Sequence, residues 1–200
     1  MYDYVNKEDI PKNWHLLEKS AHRADYIRAL LLYKHGGLWL DADCICLKSL
    51  TQMLDFKNTD IIVFDFKDGS TISSIASRKE SLFIKEWLSL STQILEKTKT
   101  FEWGDIGANI TTELLKKWNK KIWRKKIYNG LDTCYPLTWD QWEIFFKKGN
   151  SDFLIREFQP FIMLYNQMFP NYFKKMTKEQ FQEFLKSNVV LADLFRKSLE

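Results

Sequence analysis

Cysteine is scarce in this sequence, and glycine and proline are few. Cys44, Cys46 and Cys134 are the three cysteines among 200 residues. An odd number, with two thiols only two residues apart, argues against a disulfide framework, so we expect reduced thiols in a cytosolic compartment. The short Cys44–Cys46 spacing does not suit a structural zinc site, and we expect both to be buried strand residues. Seven glycines and four prolines form no linker or low-complexity tract, so no domain boundary is predicted.

Long apolar runs and a strong net charge are also missing. No run approaches the roughly 20 apolar residues that a membrane helix needs. The N-terminus lacks the basic-then-apolar pattern of a signal peptide. The net charge of +4 allows attraction to anionic partners without demanding nucleic acid. The 45% hydrophobic content is enough for a buried core, so we expect one cytoplasmic domain spanning residues 1–200.

The most informative stretch runs from Ala21 to Leu50. Its first part has apolar residues at spacings of three and four, which predicts a helix, and Gly36-Gly37 predicts the end of that helix. A short apolar strand follows, Leu38-Trp39-Leu40. This strand ends at the sequence Asp41-Ala42-Asp43.

Asp41 and Asp43 are two residues apart, so in an extended strand both side chains would point to one face. Two like charges on a largely buried element repel each other, and a cation relieves that repulsion. Carboxylates without a thiol or imidazole beside them suit Mg²⁺ or Mn²⁺, ions that often share their ligand shell with phosphates. A polar strand end that enters a turn is the alternative interpretation. Asp25 and Arg28 lie three residues apart on the preceding helix, which can present both groups to one space.

The residues Ala24-Asp25-Tyr26-Ile27-Arg28, followed by residues 32–43, resemble the core signature of Asp-x-Asp glycosyltransferases of the GT-A fold. The similarity is greatest to the sugar-binding-region and capsular polysaccharide synthesis group, which includes large-virus glycosyltransferases. The resemblance implies a metal-dependent transferase that uses a nucleotide-sugar donor and a glycan or lipid-linked saccharide acceptor. It also implies that this chain lacks the N-terminal strand and helix that family members carry.

The resemblance further implies roles for individual residues. Asp43 would bind Mn²⁺ or Mg²⁺ directly, and Asp41 would contact the ribose or donor sugar and share the metal. Asp25 and Arg28 would hold donor-sugar hydroxyls, with Arg28 also near the phosphate. Relatives often have a histidine where this chain has Met163, a poor ligand for a hard cation. Asn166 therefore becomes the candidate that completes the metal shell or contacts phosphate.

Beyond this stretch, strands and helices alternate. Thr59–Phe66 and Thr71–Ser77 are predicted strands, and Ser81–Lys97 has helical spacing. This order predicts the α/β class: a Rossmann-like GT-A domain with a mostly parallel central sheet covered by helices. In such sheets ligands bind at the carboxyl ends of strands, where Asp41 and Asp43 lie.

Two later segments carry alternatives that the sequence leaves open. Asp105, in the turn Gly104-Asp105-Ile106-Gly107, is either a general base or acceptor contact, or the N-cap of the next helix. Trp139 and Trp142 either line an acceptor groove or pack in the core.

The segment Lys116–Lys126 has seven basic residues in eleven. It is either a solvated helix face or a peripheral contact with the cytoplasmic face of a membrane. Two other functions compete with a transferase: a non-catalytic GT-A-like domain that binds a sugar or a partner, and a basic adaptor for nucleic acid or membrane. We expect no nucleic-acid partner.

Overall fold

The computed structural model describes residues 5–51, 53–66, 69–118 and 125–199. In chain order, its helices and strands are α1 (Ser20–His35), β1 (Gly37–Leu40), β2 (Cys44–Cys46), β3 (Ile61–Phe66), β4 (Gly69–Ser77), α2 (Leu82–Lys97), α3 (Ala108–Trp118), β5 (Lys125–Asn129), α4 (Gly130–Thr133), β6 (Phe161–Met163), α5 (Asn171–Lys174), α6 (Lys178–Leu185) and α7 (Val190–Lys197). Short 3-10 helices lie between them, and that of Trp139–Phe146 is described below. The strands and helices predicted between residues 21 and 118 are confirmed.

The chain divides into two compact units. The first comprises Met1–Leu40 and Thr51–Tyr128, and the second comprises Asp41–Leu50 and Asn129–Glu200. The expectation of a single domain over residues 1–200 stays a prediction.

The first unit contains a sheet with strand order β1-β4-β3-β5. Strand β4 pairs antiparallel with both β1 and β3, so β1 and β3 run in the same direction on either side of a reversed strand. The α/β class is confirmed, but the prediction of a mostly parallel sheet is wrong for these pairs. The reason lies in the connection: only Lys67 and Asp68 separate β3 from β4, and a parallel pair needs a crossover of a dozen or more residues.

Helices α1, α2 and α3 supply the apolar side chains that pack with this sheet. The cluster is fully or nearly buried and includes Leu32, Phe83, Trp87, Leu114 and Ile75. Burying a side chain of this size contributes about 1.5–3 kcal/mol. This core fixes α1 beside β4, which is the arrangement that positions Asp25 and Arg28.

Gly36 ends α1 and permits the turn into β1. Its φ is +67°, in the region that favours glycine, and its N–H donates to the Leu32 carbonyl at 2.8 Å. A Cβ at this position would lie 2.5 Å from the backbone nitrogen of Lys79. The helix stop predicted from Gly36-Gly37 is confirmed, and the close approach of a second chain segment explains why no larger residue fits at position 36.

The second unit pairs β2 antiparallel with β6, with Cys44 opposite Met163 and Cys46 opposite Phe161. Its core combines these strands with α7 and the 3-10 helix Trp139–Phe146, through buried residues that include Phe145, Ile162 and Leu191. All three cysteines are free, as predicted. Cys46 is exposed and Cys44 is only partly buried, so the expectation that both β2 cysteines are buried is wrong, because both lie on the more open side of the strand.

Candidate active site

In the first unit, Arg28 and Asp25 form a fixed polar pair on α1. Nη1 of Arg28 lies 3.6 Å from Oδ1 of Asp25 and donates a 2.6 Å hydrogen bond to the carbonyl of Ile72 in β4. The guanidinium also lies over the Trp39 ring, 5.0 Å from its centroid. Arg28 is only 4% exposed. Its planar group is therefore held in one orientation by three neighbours, and the predicted juxtaposition with Asp25 is confirmed.

Gly107 packs directly against this pair. A Cβ at position 107 would lie 2.5 Å from Oδ2 and 2.8 Å from Cγ of Asp25. It would also lie 2.4 Å from Cδ1 of Ile72, so position 107 accommodates only glycine unless both Ile72 and Asp25 move. The turn that contains Asp105 is thus anchored next to the carboxylate of Asp25.

Asp105 itself organises that turn. Its Oδ2 accepts a 2.8 Å hydrogen bond from the amide of Glu102, and its Oδ1 accepts a 3.3 Å bond from the side chain of Asn109. Helix α3 begins at Ala108, so the N-cap interpretation of Asp105 is wrong: among the described residues, no backbone N–H of the first helical turn donates to its carboxylate. The carboxylate remains half-buried and is held in place, which leaves the interpretation as an acceptor contact open.

In the second unit, Asp41 and Asp43 lie between strands and not within one. Strand β1 ends at Leu40 and β2 begins at Cys44. The predicted position at the end of a strand is confirmed, but the strand alternation used to place both side chains on one face does not apply to this bend. The orientation of Asp43 must therefore come from its contacts.

Those contacts come from the segment after β6. The amide of Leu164 donates to the Asp43 carbonyl at 2.9 Å, and the amide of Asn166 donates to Oδ2 of Asp43 at 3.0 Å. The structure thus brings Asn166 to Asp43, as the sequence prediction required. However, the contact uses the main chain of Asn166 and not its side-chain amide. Met163, in contrast, is buried in β6, so it cannot replace the missing histidine at the surface.

Tyr165 makes this contact possible. Its backbone is left-handed, with φ 54° and ψ 48°, and it directly precedes the 3-10 turn Asn166–Met168. A non-glycine residue in this region is uncommon and costs of order 1–3 kcal/mol, so strain is accepted next to Asp43. The Tyr165 hydroxyl donates to the Leu137 carbonyl at 3.2 Å. Burial is the main cause that raises the pKa of this phenol, so it stays protonated.

The field around the two carboxylates is negative. The pKa of the neighbouring Cys44 thiol is raised to about 11, mainly by burial and then by negative neighbours that include Asp43 and Asp41. In the described part of the chain, no group of three or more histidine, cysteine or acidic side chains converges to hold a metal. Two carboxylates alone suit an ion such as Mg²⁺, which keeps waters and substrate phosphates as its other ligands. The donor set therefore fits Mg²⁺ or Mn²⁺.

Sequence reasoning missed three residues that position these groups: Trp39, Ile72 and Tyr165. Trp39 stands in the strand next to Asp41, and a large aromatic ring there was a usable signal. No sequence signal points to the Ile72 carbonyl or to the left-handed Tyr165, because main-chain acceptors and backbone dihedrals are not visible in side-chain patterns. The two groups belong to different units: Asp25, Arg28 and Asp105 to the first, and Asp41, Asp43 and Asn166 to the second.

Two other hypotheses from the sequence concern an aromatic acceptor groove and a basic membrane-contacting segment. Trp142 packs with the core of the second unit, whereas Trp139 is exposed. Of the segment Lys116–Lys126, residues 119–124 lie outside the described residues. The described Lys116 and Lys117 form ion pairs with Glu113 and Glu86. None of the helices in the described ranges is long and apolar enough to span a bilayer.

Comparison with known proteins finds a family to which the N-terminal part of the chain is similar. Residues 2–60, which include Asp25, Arg28, Asp41 and Asp43, match the family described as glycosyltransferase sugar-binding region containing DXD motif. Over these residues the chain is similar to that family, and the resemblance noted from the sequence is confirmed.

Curated relatives agree. The chain is similar to lactosylceramide 4-alpha-galactosyltransferases of human (24% identical over 140 residues, 66% of this chain and 37% of the relative), gorilla (24% over 142 residues, 68% and 41%) and rat (27% over 135 residues, 62% and 34%). It spans about two fifths or less of the length of these relatives. Among solved structures, it is similar to a PaToxG glycosyltransferase, with a TM-score of 0.39, 19% identity and coverage of 53% of this chain and 43% of that one.

Proposed function

We propose that this chain is a metal-dependent glycosyltransferase that moves a sugar from a nucleotide-sugar donor to a glycan acceptor. The observation that carries the proposal is Asp43, in the family-matching region, whose carboxylate is held by the Asn166 amide. Asp43 would bind Mn²⁺ or Mg²⁺ directly, and Asp41 would share the ion or contact the donor. When bound, such an ion stabilises negative charge on the leaving diphosphate.

Asp43 is prepared for this task before the ion arrives. One carboxylate oxygen is fixed by the Asn166 amide, while among the described residues no hydrogen bond reaches the other oxygen. A ligand that is already oriented loses little side-chain entropy on binding.

Asp25 and Arg28 would serve the donor sugar. Because Arg28 is almost fully buried and already donates to Ile72, we assign it to holding Asp25 in place, with the phosphate contact as a secondary role. The Asp25 carboxylate would then accept hydrogen bonds from sugar hydroxyls. Oriented acceptors of this kind help to align a sugar as its anomeric carbon becomes electron-poor.

Asp105 would act on the acceptor side. An inverting reaction needs a base that takes the proton of the acceptor hydroxyl, and the half-buried Asp105 carboxylate is held ready by the Glu102 amide. A retaining reaction needs no such base, and Asp105 would then only contact the acceptor. The anomeric configuration of the product, read by NMR, distinguishes the two roles.

The test is donor binding and hydrolysis by the full chain, measured by thermal shift and nucleotide release. The donors are UDP-, GDP- and dTDP-sugars, beginning with UDP-galactose because the curated relatives are named galactosyltransferases. Each is measured with and without Mn²⁺. We expect one donor to raise the melting temperature and to be hydrolysed slowly, both only with metal.

The decisive variant is Asp43→Asn, with Glu157→Gln, an exposed carboxylate of the same unit, as the matched control. Asn at position 43 can still accept the Asn166 hydrogen bond, so the fold should persist. In Asp43→Asn the metal-dependent donor affinity should fall at least about tenfold, the lower limit for replacing groups that support a metal ligand. Glu157→Gln should behave like wild type. Unchanged affinity in Asp43→Asn would contradict the metal assignment. A folded wild-type protein that responds to no donor would favour a non-catalytic sugar- or partner-binding domain.

A further inference from the structure

The second unit presents a large aromatic ring that its core does not use. Trp139 begins the 3-10 helix Trp139–Phe146 and is 63% exposed. Three residues later, Trp142 packs against Phe146, with ring centroids 6.0 Å apart, in the core of this unit. The packing explanation therefore accounts for Trp142 and leaves Trp139 without a structural role.

The backbone that carries Trp139 is well fixed, although the ring itself is exposed. The amide of Thr138 donates to Oε1 of Gln141 at 3.0 Å, and the Thr138 hydroxyl donates to Oδ1 of Asp140 at 2.6 Å. These bonds are part of a capping box that locks the first turn of the helix. Because the backbone of this turn is already ordered, a ligand that stacks on the ring has only the two side-chain torsions of Trp139 to fix.

A chain of contacts within the second unit connects this turn to Asp43. The Tyr165 hydroxyl donates to the carbonyl of Leu137, two residues before Trp139. The next residue, Asn166, donates its amide to the Asp43 carboxylate. The chain from Leu137 to Trp139 spans at most about 7 Å. Trp139 therefore lies close to the hydrogen bond of Tyr165, the residue next to the one that contacts Asp43.

The polar groups around the ring indicate what it would stack on. Asp140, Gln141 and Glu143 are all exposed next to Trp139 in the same turn. An indole face packs well on the apolar C–H face of a sugar ring, while carboxylate and amide oxygens accept hydrogen bonds from its hydroxyls. Two neighbouring carboxylates repel phosphates, which disfavours nucleic acid and anionic lipid headgroups.

We propose that Trp139 is the stacking face of a subsite for a neutral saccharide, positioned relative to Asp43 by Tyr165. The subsite would hold the acceptor sugar, and in this respect it rests on the proposed transferase function. Asp140 and Gln141 would contact sugar hydroxyls, and the indole would supply most of the affinity.

The test is direct binding of free disaccharides to the full chain, measured by saturation-transfer NMR. The probes are lactose, maltose and cellobiose, without donor or metal. Lactose is included because the curated relatives are named for lactosylceramide. We expect at least one disaccharide to bind wild type, and Trp139→Ala to weaken it about tenfold, the factor that 1.4 kcal/mol of stacking represents. Trp139→Phe, which keeps an aromatic face, should recover much of the loss.

Phe158→Ala is the matched control, because Phe158 is a 77% exposed aromatic of the same unit. It should bind the disaccharide like wild type. Chemical denaturation of each variant establishes that it is folded. Three results would overturn the proposal: wild type binds none of the three probes, Trp139→Ala binds as well as wild type, or Phe158→Ala loses binding to the same extent.

A nucleobase is the competing ligand for an exposed indole, because bases stack on aromatic rings as well. Binding of UMP and GMP to the same variants distinguishes the two ligands. If Trp139→Ala loses affinity for the nucleotide but not for the disaccharide, the saccharide assignment is overturned. Because the saccharide measurement contains neither donor nor metal, its failure leaves the transferase proposal standing. Failure of donor hydrolysis, in turn, leaves the saccharide site standing as a binding site.

Tyr165→Phe tests the positioning role. It removes the hydrogen bond to Leu137 and keeps the ring, so the protein should remain folded. We expect the KM for the acceptor to rise several-fold with a smaller change in kcat. An equal fall in kcat at unchanged KM would contradict positioning of the saccharide subsite through Tyr165.

Discussion

Replacing Gly107 with alanine tests whether the turn at residues 104–107 supports Asp25. The new methyl group would lie 2.5 Å from Oδ2 of Asp25 and 2.4 Å from Cδ1 of Ile72, well inside van der Waals contact with both. Asp25 cannot move freely, because its partner Arg28 is buried and donates to the Ile72 carbonyl. Either the carboxylate rotates away from Arg28, or the whole turn shifts and α3 with it.

The magnitude follows from these alternatives. Overpacking by one carbon in a well-packed site typically costs 1–3 kcal/mol. Loosening the Asp25–Arg28 pair, which is largely shielded from water, adds to that cost within the same range. We therefore expect Gly107→Ala to lower the free energy of unfolding by about 2 kcal/mol. Donor affinity should fall as well, because the Asp25 carboxylate is displaced.

Denaturant unfolding of four proteins measures this coupling: wild type, Gly107→Ala, Asp25→Ala and the double variant. In the Asp25→Ala background the carboxylate is gone, so the methyl group should cost about 1 kcal/mol less than in wild type. If Gly107→Ala costs the same in both backgrounds, the clash with Ile72 alone excludes a side chain, and the link between the turn and Asp25 is refuted.

Three further substitutions test other contacts by denaturant unfolding. Arg28→Lys should lose about 1–3 kcal/mol, because one ammonium cannot donate to Ile72 and keep the planar stack on the Trp39 ring; wild-type stability would contradict this. Burial by itself would raise the pKa of Asp193. Hydrogen bonds from Ser151 and Lys197 outweigh this effect and hold the pKa below its ordinary value. Its stabilisation is therefore present above the unfolded pKa of about 3.9 and is lost as the pH falls through the folded pKa. The stability difference between wild type and Asp193→Asn should accordingly narrow below about pH 4, and a difference that does not change with pH would refute this origin. Gly36→Ala should lower the free energy of unfolding by at least about 1 kcal/mol through its positive φ alone, and the clash with the backbone of Lys79 should lower it further. Gly37→Ala also has a positive φ but meets no neighbouring atom, so it should show only the loss that comes from φ.

The elements between residues 20 and 118 could be predicted because their signals are local. Apolar spacing and glycine stops identify α1, α2 and α3, and β-branched runs identify β3 and β4. The parallel direction expected from the fold class is wrong for β3 and β4, although the four residues between the two predicted strands are already too few for a parallel crossover. The pairing of β2 with β6 joins residues more than a hundred positions apart, and nothing in either short segment specifies the other.

The candidate site was predictable to the same extent. The spacing of Asp25 and Arg28 placed them together on one helix, and a 3.6 Å separation confirms that placement. The link between Asp43 and Asn166 came only from the family resemblance. Its form could not be predicted, because it depends on a left-handed tyrosine, a conformation that sequence patterns associate with glycine or asparagine.

The form of that link changes which atom of Asn166 matters. If the side-chain amide completed the metal shell, Asn166→Ala and Asn166→Pro would weaken metal-dependent donor binding alike. Since the structure shows the main-chain N–H on the Asp43 carboxylate, alanine keeps the hydrogen bond and proline removes it. Proline should therefore be the more damaging substitution, and the two affinities, measured at equal Mn²⁺, distinguish a backbone clamp from a side-chain ligand. A backbone clamp also explains how Asp43 keeps its orientation in a bend where no strand imposes one.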